Sequence, residues 1–319
     1  MAENQIAQVP QTGLAKLKAS LNAPSVQEQF RNALKENSNL FIASIIDLYN
    51  GDKALQTCNP NAIISEALKA AVLDLPINKA LGFAYIVVYN NKEKYRDENG
   101  IERERKVPTP TFIPGYKGYI QLAMRTGQYL TINADYVYEG ELRKTSKLSG
   151  EIALDGERIS DKIVGYFCHF KLLNGYTKTL YMSVEEMAKY AKRYAPGIKR
   201  ETTVADLIKK ANDGIVSKNV GWMGNFNDMA LKTVIRRLIS KYGYLSIKMQ
   251  TAIGHDTEGE NRALSARNDA LQISTEQPQV ISLNDTEFEE VDTETGEVRS
   301  VSSQQTETAT QPQAPTPDY

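Results

Sequence analysis

Three features of this 319-residue chain predict an α+β fold. Helical periodicity runs through the first quarter and returns near residue 184. Between the two lie β-branched and aromatic runs joined by Asn-Gly turns. After about residue 255 the composition changes to Ser, Thr, Gln, Glu and Pro. Hairpin-linked strands set between runs of helices give antiparallel sheet packed with helices. The tail has few aromatics, cannot offset the entropy of ordering, and is read as disordered. The chain therefore divides into a flexible segment 1–24, a core 25–255 and an acidic tail 256–319.

The first helices start near Ser25, which has capping-box spacing to Glu28, and Val26, Phe30, Leu34, Phe41, Ile45 and Leu48 recur at helical intervals up to Tyr49. Asn59-Pro60 opens the next, with Ile63, Ile64, Ala67, Leu68, Ala71 and Val72 as its buried stripe and Pro76 beyond its end. Phe83 to Tyr89 and Thr109 to Ile113 read as paired strands. The charged stretch 92–106 between them turns at Asn99-Gly100, so it forms a long hairpin. A helix follows over 115–126, closed by Gly127. Strands are expected at 129–139 and 163–182, the latter split by Asn174-Gly175, and helices at 184–194, 203–213 and 226–242.

Composition excludes several classes. Apolar residues are 41% and charged residues 24%, and no run approaches the roughly 18 residues of a membrane span. Cys58, Cys168 and two histidines have neither disulfide-framework nor zinc-site spacing, so an intracellular, reducing setting without metal is expected. The net charge of −1 conceals a polarity: residues 255–319 carry fourteen acidic against three basic side chains, while 171–250 carry fifteen basic against six acidic. A basic body suggests a polyanion partner, and a solvated lysine-rich surface gives the same count.

The sequence lacks a P-loop, a G-x-G-x-x-G, an H-E-x-x-H and a G-x-S-x-G. His169 and Cys168 lie in an apolar strand and read as packed rather than catalytic. Asp135, Glu139 and Glu141 are too dispersed for a two-metal nuclease. Nothing points to an enzyme or to a cofactor.

Three segments carry binding chemistry. In FIPGYKGYIQLAMRTGQY, residues 112–129, Lys117, Gln121 and Arg125 share one helical face while Tyr116, Ile120 and Ala123 share another, and Gly118 permits close backbone approach. In FCHFKLLNGYTKTLYM a two-residue Asn174-Gly175 turn places Lys171 opposite Lys178, which suits a phosphate or plain solvent. In WMGNFNDMALKTVIRRLISKYG, residues 222–243, Leu231, Val234, Ile235, Leu238, Ile239 and Tyr242 fill one arc, and Lys232, Thr233, Arg236, Arg237 and Lys241 the other. Trp222 suits stacking on a base or anchoring the helix. Lys189, Lys192 and Arg193 add a basic surface to a helix capped by Ser183 and Glu186.

The runs LDLPINKALGFAYIVVYN, FIPGYKGYIQLAMRTGQY with EGE at 139–141, and WMGNFNDMALKTVIRRLISKYG closely resemble the RecT branch of the RecT/Redβ phage recombinases. The resemblance covers roughly residues 25–255 and rests on separated motifs in the correct order. It implies an ATP-independent single-strand annealing protein of the bacterial host cytoplasm, with a small antiparallel sheet, a hairpin and packed helices, related to the eukaryotic single-strand annealing ring proteins. It further implies homo-oligomeric rings or helical filaments that hold single-stranded DNA and the annealed duplex in a basic groove. A 5′-to-3′ exonuclease and the host single-strand binding protein are the implied partners. A passive single-strand coating protein is the rival reading.

The expected phosphate contacts are Lys117, Arg125, Lys171, Lys178, Lys192, Arg193, Lys232, Arg236 and Arg237, with Tyr116, Tyr119 and Trp222 as stacking or groove-wall residues. The matched motifs carry Lys117, Lys232 and Trp222, whereas the hairpin lysines rest on spacing alone. The acidic tail is expected to compete weakly for the groove and to dock partners through residues 281–291, and truncation near 255 is expected to leave a folded body.

Overall fold

The computed structural model describes residues 13–97, 100–146, 148, 150–195, 197–217, 221–271, 290–291 and 298–299. Four helices come first: α1 (Gly13–Leu21), α2 (Pro24–Leu34), α3 (Ser38–Gly51) and α4 (Pro60–Val72). Leu17, Leu21, Phe30, Ile45, Leu55 and Ile63 are fully buried where these helices meet. Residues 13–21, read from composition as part of a flexible segment, thus form a helix, because Leu17 and Leu21 close the bundle. The periodic stretch 25–49 is divided into two helices, broken where Lys35 takes φ +52°. Asn59 caps α4 by accepting from the Asn61 amide at 2.9 Å.

A long antiparallel hairpin follows, β1 (Ala84–Arg96) with β2 (Glu102–Pro114), pairing Ala84 with Pro114 at its base and Arg96 with Glu102 near its tip. The charged stretch is ladder for most of its length. A buried carboxylate fixes its base: Glu66 of α4 accepts from the Phe112 amide at 2.8 Å and from Lys69 at 2.9 Å. Helix α5 (Tyr116–Met124) leads into β3 (Tyr129–Tyr138). Gly118 has its own chain for a close neighbour, since a Cβ there would lie 2.2 Å from the Phe83 carbonyl oxygen.

The main sheet has three antiparallel strands in the order β3, β6 (Ile163–Leu172), β7 (Thr177–Ser183), and a small pair, β4 (Lys144–Thr145) with β5 (Ile152–Ala153), lies in the β3–β6 connection. Helices α6 (Val184–Tyr194), α7 (Val204–Asp213), α8 (Phe226–Tyr242) and α9 (Ile247–Leu271) complete this unit. Cys168 is buried, which pushes its thiol up to about 12, and the half-buried His169 ring meets the Thr179 hydroxyl at 2.8 Å. No helix among the described residues is long and apolar enough to cross a membrane, and no group of three possible metal ligands occurs among them. Residues 273–319 form a separate unit in which β8 (Glu290–Val291) pairs with β9 (Val298–Arg299). Residues 272–289, 292–297 and 300–319 of the expected disordered tail, with most of the 281–291 strip, lie outside the described residues.

The core boundary expected at 255 falls inside α9. Asp256 on that helix is 1% exposed. Its carboxylate receives Lys232 Nζ at 2.5 Å and Arg236 Nη1 at 3.2 Å from α8, and the Tyr119 hydroxyl at 2.9 Å from α5. Burial and then Asp256 push the Tyr119 phenol well above its ordinary range. On β1, burial and then the Asp256 and Glu260 charges push Tyr89 up to about 12. Composition missed this helix because its buried stripe is short and mixed, Met249 and Ala252 followed by the anion Asp256 rather than a sustained apolar run.

Removing one partner of a buried ion network leaves uncompensated charge, so Asp256→Ala should cost about 3–5 kcal/mol. A chain ending at residue 255 should be destabilised at least as much. Urea unfolding of both against the full chain checks this, and a truncate as stable as the full chain would refute it.

Candidate nucleic-acid interface

Helices α6 and α8, with one residue of α9, enclose a cleft of about 380 Å³ lined by Tyr190, Tyr194, Met229, Lys232, Thr233, Arg236, Arg237, Ser240 and Glu260. The N-terminus of α6 is set by a full capping box: the Ser183 side chain accepts from the Glu186 amide, and Glu186 accepts from the Ser183 amide at 2.9 Å. Met187, Ala188 and Ala191 bury its inner face. Tyr190 and Tyr194, four residues apart, therefore stand together toward the cleft, their ring centroids 4.8 Å apart.

Aromatic packing backs these rings. Trp222 is buried, with its ring centroid 6.3 Å from Tyr190 and 5.1 Å, edge-on, from Phe226. Cations lie over the rings. Arg237 Cζ is 5.6 Å from the Tyr190 centroid, and Arg193 Cζ is 5.2 Å from that of Tyr194. Toward the C-terminus of α8 the ammonium groups of Lys178 and Lys241 each sit 5.2 Å from the Tyr242 ring centroid. Arg237 and Lys241 of α8, with Lys178 of β7 beside Tyr242, thus mark one basic strip, and Arg236 lies behind it at the cleft wall.

The polar arc of α8 is divided by α9. Lys232 and Thr233 are 4% and 7% exposed, so the expectation that Lys232 meets a phosphate is corrected: its charge is matched to Asp256. Arg236 is half-buried at the cleft wall. Burial opposes its charge, but Asp256 and Glu260 outweigh burial and hold the guanidinium charged more firmly than usual. Glu260 pairs with it at 2.7 Å, and the Thr257 hydroxyl accepts from it at 2.8 Å. Arg237 faces solvent, with one nitrogen 3.5 Å from Met182 Sδ.

The other expected residues divide similarly. Tyr119 is fully buried on Asp256 and Trp222 is packed, so neither presents a ring to a base. Arg125 donates to the Leu73 and Asp74 carbonyls at 3.3 and 2.8 Å and pairs with the Asp74 carboxylate, closing the C-terminus of α4. Lys117 is exposed, its ammonium 5.9 Å from the half-buried Tyr116 ring centroid. Nearby, burial pushes the Asp228 carboxyl up while Lys117 pulls it down. Lys192 is half-buried and Arg193 exposed.

The β6–β7 turn departs from the two-residue form. The Leu172 amide donates to Tyr176 O and the Gly175 amide to Leu172 O, with Gly175 at φ +87°. This three-residue loop with a left-handed glycine shifts the register by one, so Lys171 pairs with Thr177 and Phe170 with Lys178. Lys171 and Lys178 therefore stand on opposite faces and are not the expected cross-strand pair.

Tyr190, Tyr194 and Glu260 escaped the reading of the sequence. The two tyrosines had a signal in their spacing of four beside Arg193. Glu260 had none, because its partner is a residue 24 positions away.

A family model described as the RecT family matches residues 39–269, a span that includes α9 through Glu260. The "Uncharacterized protein YqaK" of Bacillus subtilis (strain 168) is 37% identical over 266 residues, 83% of this chain and 80% of that protein. "Protein RecT" of Escherichia coli (strain K12) is 27% identical over 245 residues, 74% of this chain and 78% of that protein.

Since Trp222 backs Tyr190, Trp222→Ala should cost about 3 kcal/mol by opening a cavity and should weaken DNA binding in parallel. Thermal unfolding beside a binding titration checks this. Lost binding at unaltered stability would return Trp222 to a stacking role.

Proposed function

The chain belongs to the RecT family, and from that premise we propose that it holds single-stranded DNA along the α6–α8 cleft and anneals it to a complementary strand without a nucleotide cofactor. Family membership supports DNA binding, single-strand annealing and DNA recombination of the phage type. The observation that carries the reading is the cleft itself, where guanidinium groups lie over a pair of tyrosine rings at the head of a basic strip.

Phosphate contacts position a strand without reading its sequence. Arg193, Arg237, Lys241 and Lys178 serve as those contacts, with Arg236 behind them, and Tyr190 and Tyr194 offer π-faces to bases of any kind. Lys117 with Tyr116, Lys171 and Lys192 extend the contact surface beyond the cleft. Base edges left free pair with an incoming strand, and the pairing supplies both specificity and driving force. The protein then acts by positioning rather than as an enzyme.

Copies of the chain join in a ring or helical filament, so that one strand runs over successive clefts, an arrangement like that of the eukaryotic single-strand annealing proteins. A 5′-to-3′ exonuclease supplies the exposed strand, and a host single-strand binding protein is a further partner.

Two complementary oligonucleotides carrying a donor and an acceptor dye test this. Protein alone should accelerate their pairing, and coating without acceleration, or acceleration only with ATP, would overturn it. Arg237→Gln should weaken binding to all sequences alike and flatten the dependence of log affinity on log salt by about 0.7 for the one lost contact. An unchanged slope would remove Arg237 from the interface.

A further inference from the structure

We propose that Glu260 is a displaceable stand-in for a DNA phosphate, holding Arg236 at the cleft wall until a strand takes its place. The inference rests on the cleft being the DNA site. Glu260 is the one acid among the described residues that line the cleft. It stands four residues beyond Asp256, hence on the same face of α9, and both carboxylates reach one guanidinium.

The two anions differ in what else holds them. The Asp256 side chain is 1% exposed and is also bound by Lys232 and Tyr119, so it stays where it is. The Glu260 side chain is 39% exposed, and Arg236 is its hydrogen-bond and ion-pair partner. If Glu260 turns away, Asp256 at 3.2 Å and Thr257 at 2.8 Å still orient the guanidinium. A phosphodiester carries one negative charge over two oxygens, as a carboxylate does, and suits the same planar fork.

The exchange leaves no uncompensated charge in the wall. Lys232 and Arg236 balance Asp256 and Glu260 before it, and balance Asp256 and a phosphate after it. A lone anion gains little, because it merely replaces Glu260. A strand replaces Glu260 while its next phosphates meet Arg237 and the strip toward Lys241. Glu260 thereby favours linked phosphates over single ones and keeps Arg236 preorganised in the empty cleft.

The test uses the full chain and a labelled oligo(dT), followed by fluorescence anisotropy at low salt. Glu260→Gln should bind about three- to fivefold more tightly, the range of one partly exposed ion pair. The gain should vanish when Arg236 is also changed to Gln, or to Lys if the Gln variant does not fold. Equal or weaker binding by Glu260→Gln overturns the proposal, as does a gain that survives without Arg236. Arg237→Gln separates the two readings: if it binds like the unsubstituted protein, the cleft reading and the Glu260 proposal fall together. If it binds weakly and Glu260→Gln gives no gain, the Glu260 proposal alone falls.

Discussion

Two cations of α8 and a phenol of α5 converge on the Asp256 carboxylate, and the position of α9 follows from that convergence. Ions removed from water are tolerated when their partners and hydrogen bonds are supplied in full. Here Asp256 accepts from Lys232, from Arg236, which it shares with Glu260, and from the Tyr119 hydroxyl. α9 approaches close enough that a Cβ on Gly259 would meet Thr111 at 3.1 Å, and the Phe112 ring meets His255 edge-on. One carboxylate thus ties α5 and α8 to the last helix of the unit, and Gly259 and His255 bring that helix against the hairpin base.

The same contact decides which basic residues are available. Covering one side of the α8 polar arc takes Lys232 and Thr233 out of water and leaves Arg236 half in and half out. Arg237 and Lys241, on the uncovered side, lie over the rings of Tyr190 and Tyr242. An exposed cation over an aromatic face keeps its charge for a phosphate while its ring stays within reach of a base. The basic count of the sequence therefore overstates the number of cations that face solvent, since Lys232 is counted in it and is buried.

A second buried carboxylate, Glu66, works on the backbone rather than on a cation pair. By accepting the Phe112 amide it fixes the hairpin base against α4, from which the ladder continues to Arg96 and Glu102. Glu93 with Arg105 then supports the distal ladder as a cross-strand pair at 3.0 Å, of the modest strength expected at an exposed site.

Local order was legible in the residues: the Asn59 and Ser183 caps, the long hairpin ladder over 84–96 and 102–114, and the spans 184–194 and 226–242 follow from capping chemistry and side-chain period, which act within one turn or one ladder. The family was legible too, because its motifs are contiguous runs. Register and burial were not. A one-residue difference in the β6–β7 loop moved Lys171 and Lys178 to opposite faces, and a glycine with positive φ suits either loop. The stabilising partner of Lys232 lies 24 residues away on a helix whose composition looks like tail, and no local pattern encodes that pairing. Period and capping are properties of neighbouring residues; whether a charged side chain meets water or an anion depends on which distant helix covers it.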